Sequence, residues 1–161
     1  MHRVLPSVSV PWLFALGATV GLFALAASPS WLSPGLGYVV REAFALVCHQ
    51  LPDRSPHMHG AQWALCFRWT GILGGIVLGL ATGPWCRAGV SRAVKAMGAA
   101  RLLLLMALPT TLDWLLGATG LWANTPLSRL TTGALLGLGA GWLLAGLLLR
   151  STSSPSTQPA T

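Results

Sequence analysis

The residues best equipped for chemistry cluster around two cysteines. Cys48 is followed directly by His49, then by Arg54 and Ser55; Cys66 comes later, with Arg68 two positions beyond it. Thiolate and imidazole are ligands for soft or borderline metals, so Cys48, His49 and Cys66 are candidate ligands for a divalent or soft metal ion, with His57 or His59 available to complete the set. The same two cysteines would form a disulfide in an oxidising compartment. A redox pair is a third reading, although the CxxC spacing usual for one is absent. Cys86 stands apart and reads as a free thiol.

A second constellation lies inside apolar stretches. Ionisable groups at membrane depth cost a few kcal/mol on insertion scales, about 3 for Arg or Asp at a helix centre, so each needs a partner or a task. Arg68, Asp113 and Arg129 fall at similar depth, and Asp113 is the only acid in the last hundred residues. Its expected partner is Arg68 or Arg129. The group is either an ion pair that fixes helix register or the polar floor of a pocket, where a guanidinium fork would clamp an anion. Pro109 removes one backbone donor a turn before Asp113 and is expected to kink that helix.

The elements that must carry these residues follow from composition. The chain has 161 residues, 53% hydrophobic and only 8% charged. A soluble domain carries roughly 25% charged residues, so a soluble enzyme domain, a coiled coil and a disordered chain are excluded. The reading is a single all-α integral membrane domain, 1–149, with four spans at about 11–28, 63–82, 97–117 and 128–149. A short interfacial helix over Gly37–Gln50 ends at the Cys-His motif, Gly83-Pro84 closes the second span, and 150–161 is a Ser/Thr/Pro tail expected to be disordered. Ala24-Leu25-Ala26 leaves a cleaved signal as the alternative for the first span.

Ten Lys/Arg oppose three acids, a net charge of +7. They form no run, so nucleic acid is not the expected partner. A positive-inside bias accounts for them better. Arg3, Arg87, Arg92, Lys95 and Arg150 fall on one side of a four-span bundle, whereas Arg41, Glu42, Asp53 and Arg54 nearly cancel on the other. Both termini are therefore expected in the cytoplasm, with the Cys-His loop facing outward.

Small residues recur every fourth position on two spans: Gly71, Gly75, Gly79 and Gly83, then Gly133, Gly137, Gly141 and Ala145. Such ladders let helix backbones approach closely. They serve either internal packing or a homo-oligomer interface. Arg68-Trp69-Thr70-Gly71 and Arg129-Leu130-Thr131-Thr132-Gly133 open the two spans alike, as duplicated hairpins would.

Cys48-His49-Gln50-Leu51-Pro52-Asp53-Arg54-Ser55 fits a Cys-His-x4-Arg-Ser signature, and Cys66-Phe67-Arg68-Trp69-Thr70-Gly71 resembles Cys-x-Arg-Cys-x-Gly. With Pro109-x3-Asp113 and Arg129-x3-Gly133, these resemble the bacterial membrane proteins grouped as domain of unknown function 2085, from about Arg41 to Gly141. The resemblance implies a small helical protein of a bacterial cytoplasmic membrane and no established reaction. Trp69 stands where the family element has its second cysteine. A four-ligand metal set using both later cysteines would lack one donor, whereas a disulfide needs only Cys48 and Cys66. An open three-ligand site would draw on His57, His59 or water.

The function expected from the residues is an outward-facing ligand- or metal-binding site of Cys48, His49 and Cys66, with Arg54, Ser55, Arg68, Asp113 and Arg129 as its polar cluster. The alternative is a structural subunit of a larger membrane complex, shaped by a Cys48–Cys66 disulfide and the glycine ladders. Neither paired carboxylates nor a Ser-His-Asp order nor a phosphate loop argues for an enzyme. The polar path is sparse for a transporter.

Overall fold

The computed structural model describes residues 9–150; the expectations placed on the first residues and on the tail beyond 150 lie outside them. The helices are α1 (Val10–Ala27), α2 (Pro34–Ala45), α3 (Phe67–Met97), α4 (Ala99–Ala118) and α5 (Pro126–Arg150). Between α2 and α3 lie a short 3-10 turn, Pro52–Arg54, and a small antiparallel hairpin of β1 (His57–Met58) and β2 (Ala61–Gln62). Among the described residues, α1, α3, α4 and α5 are long and apolar enough to cross a membrane. Their outer faces expose Phe14, Leu104, Leu112 and Leu147, as a lipid solvent permits.

The centre of the bundle is the seam between α3 and α5. The two helices run parallel, and their glycines face each other's backbone: a Cβ on Gly79 would lie 2.8 Å from the Cα of Gly141, and one on Gly141 would lie 2.9 Å from the Cα of Gly79. Gly71 abuts Leu130 and Ala134, Gly75 abuts Ala134 and Leu138, Gly133 abuts Arg68, and Gly137 abuts Ile72. Lipid tails provide no hydrophobic drive between helices, so this backbone proximity supplies dispersion contact instead. Both ladders are spent within one chain and leave no glycine face for a second copy at this seam.

The helix of the second span does not stop at Gly83-Pro84. Helix α3 continues through Pro84 to Met97. Proline cannot donate to the carbonyl four residues back, which here is Leu80. The indole Nε1 of Trp12 donates to that carbonyl at 3.0 Å and replaces the missing bond. The helix therefore survives its proline because α1 lies against it. At 31 residues it is about 46 Å long, beyond a hydrocarbon core of about 30 Å. The surplus turns carry exposed Arg87, Arg92 and Lys95. Gly98, at φ +87°, then breaks the chain sharply into α4.

Helix α2 begins at Pro34, earlier than Gly37, and stops at Ala45, before the Cys-His motif. Proline in the first turn leaves no useful donor idle, which favours that start. Beyond it the chain turns through Gln50, whose φ of +49° lies in the left-handed region. The Gln50 side chain donates to the Arg41 carbonyl at 2.6 Å, and Gln62 donates to the Gln50 carbonyl at 2.5 Å. The loop is tied to α1 through Ala64 N–H, 2.8 Å from the Ala26 carbonyl, and through the edge-on pair Phe23 and Trp63, with centroids 6.1 Å apart.

Candidate functional site

The loop and the starts of α3 and α5 close round a cavity of about 600 Å³ at one end of the bundle. Cys48, His49, Gln50, Leu51 and Arg54 line it from the loop; Cys66, Arg68, Trp69 and Ile72 from α3 and its cap; Trp114, Gly117 and Ala118 from α4; Asn124 and Arg129 from the α4–α5 turn and α5. Local sequence explains the convergence. Cys66 caps α3, Arg68 and Trp69 occupy its first turn, and Arg129 occupies the first turn of α5. Because α3 and α5 run parallel with their ladders facing, these first turns are brought to one level.

Cys48 and Cys66 are both thiols and adjoin each other. The Cys66 backbone N–H donates to Cys48 Sγ at 3.2 Å. Cys48 is 3% exposed, whereas Cys66 is half-buried. As N-cap, Cys66 sits where an oxygen would normally receive the free amides of the first helical turn, and a sulfur anion gains from the same amides and the positive helix end. The Cys48 thiol donates to the Cys66 sulfur, and with the Trp69 and Arg68 amides and the Arg68 charge this lowers the Cys66 thiol to about 6, against burial. The same hydrogen bond and burial push Cys48 upward, so it keeps its proton. The pair is asymmetric: Cys66 is the less buried and the more acidic thiol, Cys48 the buried one.

Arg68 Nη2 meets Asp113 Oδ2 at 2.5 Å, which settles the partner of Asp113 in favour of Arg68 over Arg129. Asp113 is 8% exposed and lies behind Arg68. Asn124 donates its side-chain amide to the Asp113 carbonyl, and it reaches there because Gly117 has no side chain: a Cβ would collide with the Asn124 amide. Arg68 Nε is buried without a partner. Arg54 and Arg129 make no ion pair among the described residues. Three guanidiniums thus approach one cavity with a single carboxylate paired among them.

The other expected site residues fall elsewhere. Ser55 is buried but does not line the cavity; its hydroxyl donates to the Leu51 carbonyl at 3.0 Å and its own carbonyl meets His57 Nδ1 at 3.0 Å, so it holds the loop's shape. His49 is exposed at the cavity wall, and His57 and His59 belong to the hairpin. Among the described residues no three His, Cys, Asp or Glu side chains gather as a metal would require. The paired sulfurs offer two donors, short of the three protein ligands of an open zinc site. Gln50 and Asn124 were absent from the expected cluster. Amides in turns follow no periodicity, and only their positions beside Cys48-His49 and between two spans could have drawn attention to them.

The fold and the buried polar end define a polytopic α-helical membrane protein with four apolar helices long enough to span a bilayer. The family model described as "Predicted membrane protein (DUF2085)" matches residues 48–143, which begins at Cys48 and takes in the loop, α3, α4 and most of α5. The chain belongs to that family. No curated protein and no solved structure matches it.

Proposed function

We propose that this membrane protein binds a small organic or inorganic anion in the cavity at its Cys-His end, and that this end faces outward. The observation that carries the reading is the charge balance of the cavity: Arg54, Arg68 and Arg129 line it, Asp113 forms its ion pair with Arg68, and even with Cys66 as a thiolate the guanidiniums stay in excess. Guanidiniums with forked donors match carboxylate and phosphate oxygens, and low-dielectric walls strengthen each contact. Trp69 and Trp114 supply flat apolar walls, so the anion best accommodated carries an apolar or aromatic body. The outward placement is supported by the exposed Arg87, Arg92 and Lys95 at the opposite end.

The test is thermal unfolding of detergent-purified protein titrated with inorganic phosphate, succinate or benzoate. A saturable rise in Tm, abolished in Arg129→Gln, is expected. No rise with any of the three, at concentrations that saturate ordinary anion sites, would contradict the reading.

A further inference from the structure

We infer that Cys48 and Cys66 form a working dithiol that reduces small anionic disulfides entering the arginine-lined cavity, with Cys66 as the attacking thiol and Cys48 as the resolving thiol. The inference rests on the anion-binding reading for its substrate class. The dithiol itself stands on separate observations. The two sulfur-bearing residues adjoin, with Cys66 N–H on Cys48 Sγ at 3.2 Å, and both line the cavity. They differ in access as an attacking and a resolving thiol must: Cys66 is half-buried and Cys48 is 3% exposed. No third metal donor joins them among the described residues. Cys66 is the N-cap of α3, which sets its sulfur at the positive end of that helix, where a thiolate is favoured. The lowered Cys66 thiol described above supports the same order of attack.

The chemistry balances without a further reactant. Cys66 thiolate attacks one sulfur of R–S–S–R. A Cys66–S–R bond forms, the R–S–S–R bond breaks, and one R–S⁻ leaves and takes a proton from water. Cys48 then gives up its proton to solvent and attacks Cys66 Sγ. The Cys48–Cys66 bond forms, the Cys66–S–R bond breaks, and the second R–S⁻ leaves. Two protein thiols are oxidised and one disulfide becomes two thiols. Arg54 and Arg129 act on the anionic R groups, holding the incoming disulfide and stabilising each departing thiolate's companion charge. An added thiol reductant such as dithiothreitol returns the protein to its starting state by the reverse exchange.

The experiment uses full-length protein in detergent carrying Cys86→Ser, reduced and freed of reductant. It is mixed with 5,5′-dithiobis(2-nitrobenzoate), an anionic aromatic disulfide, and separately with neutral 2,2′-dithiodipyridine. The expected result is two equivalents of released thiol per chain with either reagent, and an intact mass showing loss of two hydrogens and no adduct. Cys48→Ser should release one equivalent and retain the adduct; Cys66→Ser should slow the reaction sharply. Arg54→Gln with Arg129→Gln should lower the rate of the anionic reagent by about ten-fold or more while sparing the neutral one, the scale set by electrostatic attraction of a charged reactant. A single equivalent with a stable adduct on the parent protein would overturn the dithiol, whatever the charge preference. Two equivalents with no difference between the reagents, and no effect of the arginine changes, would instead overturn the anion-binding reading and leave the dithiol standing. If Cys66→Ser fails to fold, alkylation of Cys66 mapped by peptide mass supplies the same order of reactivity on the parent protein.

Discussion

Replacing Gly79 by alanine tests the seam that holds the site together. A Cβ there would lie 2.6 Å from the Leu138 carbonyl oxygen, 2.8 Å from Gly141 Cα and 2.9 Å from Trp142 N. Ordinary contact begins near 3.4 Å, and all three obstacles are backbone that cannot rotate aside. The helices must therefore part by roughly 0.8 Å, opening the van der Waals contacts on either side. Overpacking of this kind costs about 1–3 kcal/mol. Alanine's better helix propensity returns about 0.5–1 kcal/mol. The net expectation is a loss of about 1 kcal/mol, with an upper end of about 2.5 kcal/mol. Gly17→Ala is the matched control, since nothing lies within 4 Å of its added carbon; it keeps only the propensity gain. Unfolding in mixed micelles with increasing dodecyl sulfate, followed by tryptophan fluorescence, reads both variants. Trp142 reports locally, because its indole donates to Thr82 across the same seam at 2.9 Å. Equal stability of Gly79→Ala and Gly17→Ala would refute the close-approach argument.

Three further outcomes are expected. Trp12→Phe leaves the Leu80 carbonyl beside Pro84 without a donor and should cost about 1–3 kcal/mol in the same unfolding assay, whereas the exposed Trp85→Phe should change little. Asp113→Asn removes the only carboxylate paired with an arginine among the described residues, so it should lower stability by about 1–3 kcal/mol yet tighten phosphate binding by freeing Arg68; weaker binding would count against the charge argument. Alkylation of Cys66 should rise with pH through an inflection near about 6, because the thiolate, absent below that value, predominates above it; an inflection near 9, the ordinary thiol value, would contradict the cap and hydrogen-bond account.

The spans, the ladder faces and the polar residues at depth could be read from the chain because each has a local signature: apolar length, four-residue spacing, charge where lipid forbids it. The limits of that reading are equally physical. The helix passes Pro84 because Trp12 supplies a donor from a distant segment, and no local rule at Gly83-Pro84 contains that information. Whether Asp113 takes Arg68 or Arg129 depends on helix rotation, which packing sets. Ser55 belongs to the Arg-Ser signature but turns its hydroxyl back to Leu51, a loop bond invisible in spacing. Asn124 enters through the vacancy at Gly117, a pairing of one small residue and one amide across a turn. A metal site would need a third donor beside Cys48 and Cys66; His49 lines the same cavity, but no trio of donors gathers among the described residues, and His57 and His59 lie on the hairpin, a placement that spacing alone does not reveal.

Cys66 shares its cavity with Arg54 and Arg129, neither of which forms an ion pair among the described residues. The most direct measurement compares second-order rates of Cys66 alkylation by iodoacetate and by iodoacetamide at fixed pH, on Cys86→Ser protein, with the modified residue assigned by peptide mass. The ratio is referred to that of N-acetylcysteine under the same conditions. The arginine-lined cavity predicts a ratio raised by about ten-fold at low ionic strength, shrinking as salt is added and falling to the free-thiol value in Arg54→Gln with Arg129→Gln. A ratio at or below that of N-acetylcysteine in the parent protein would contradict the claim.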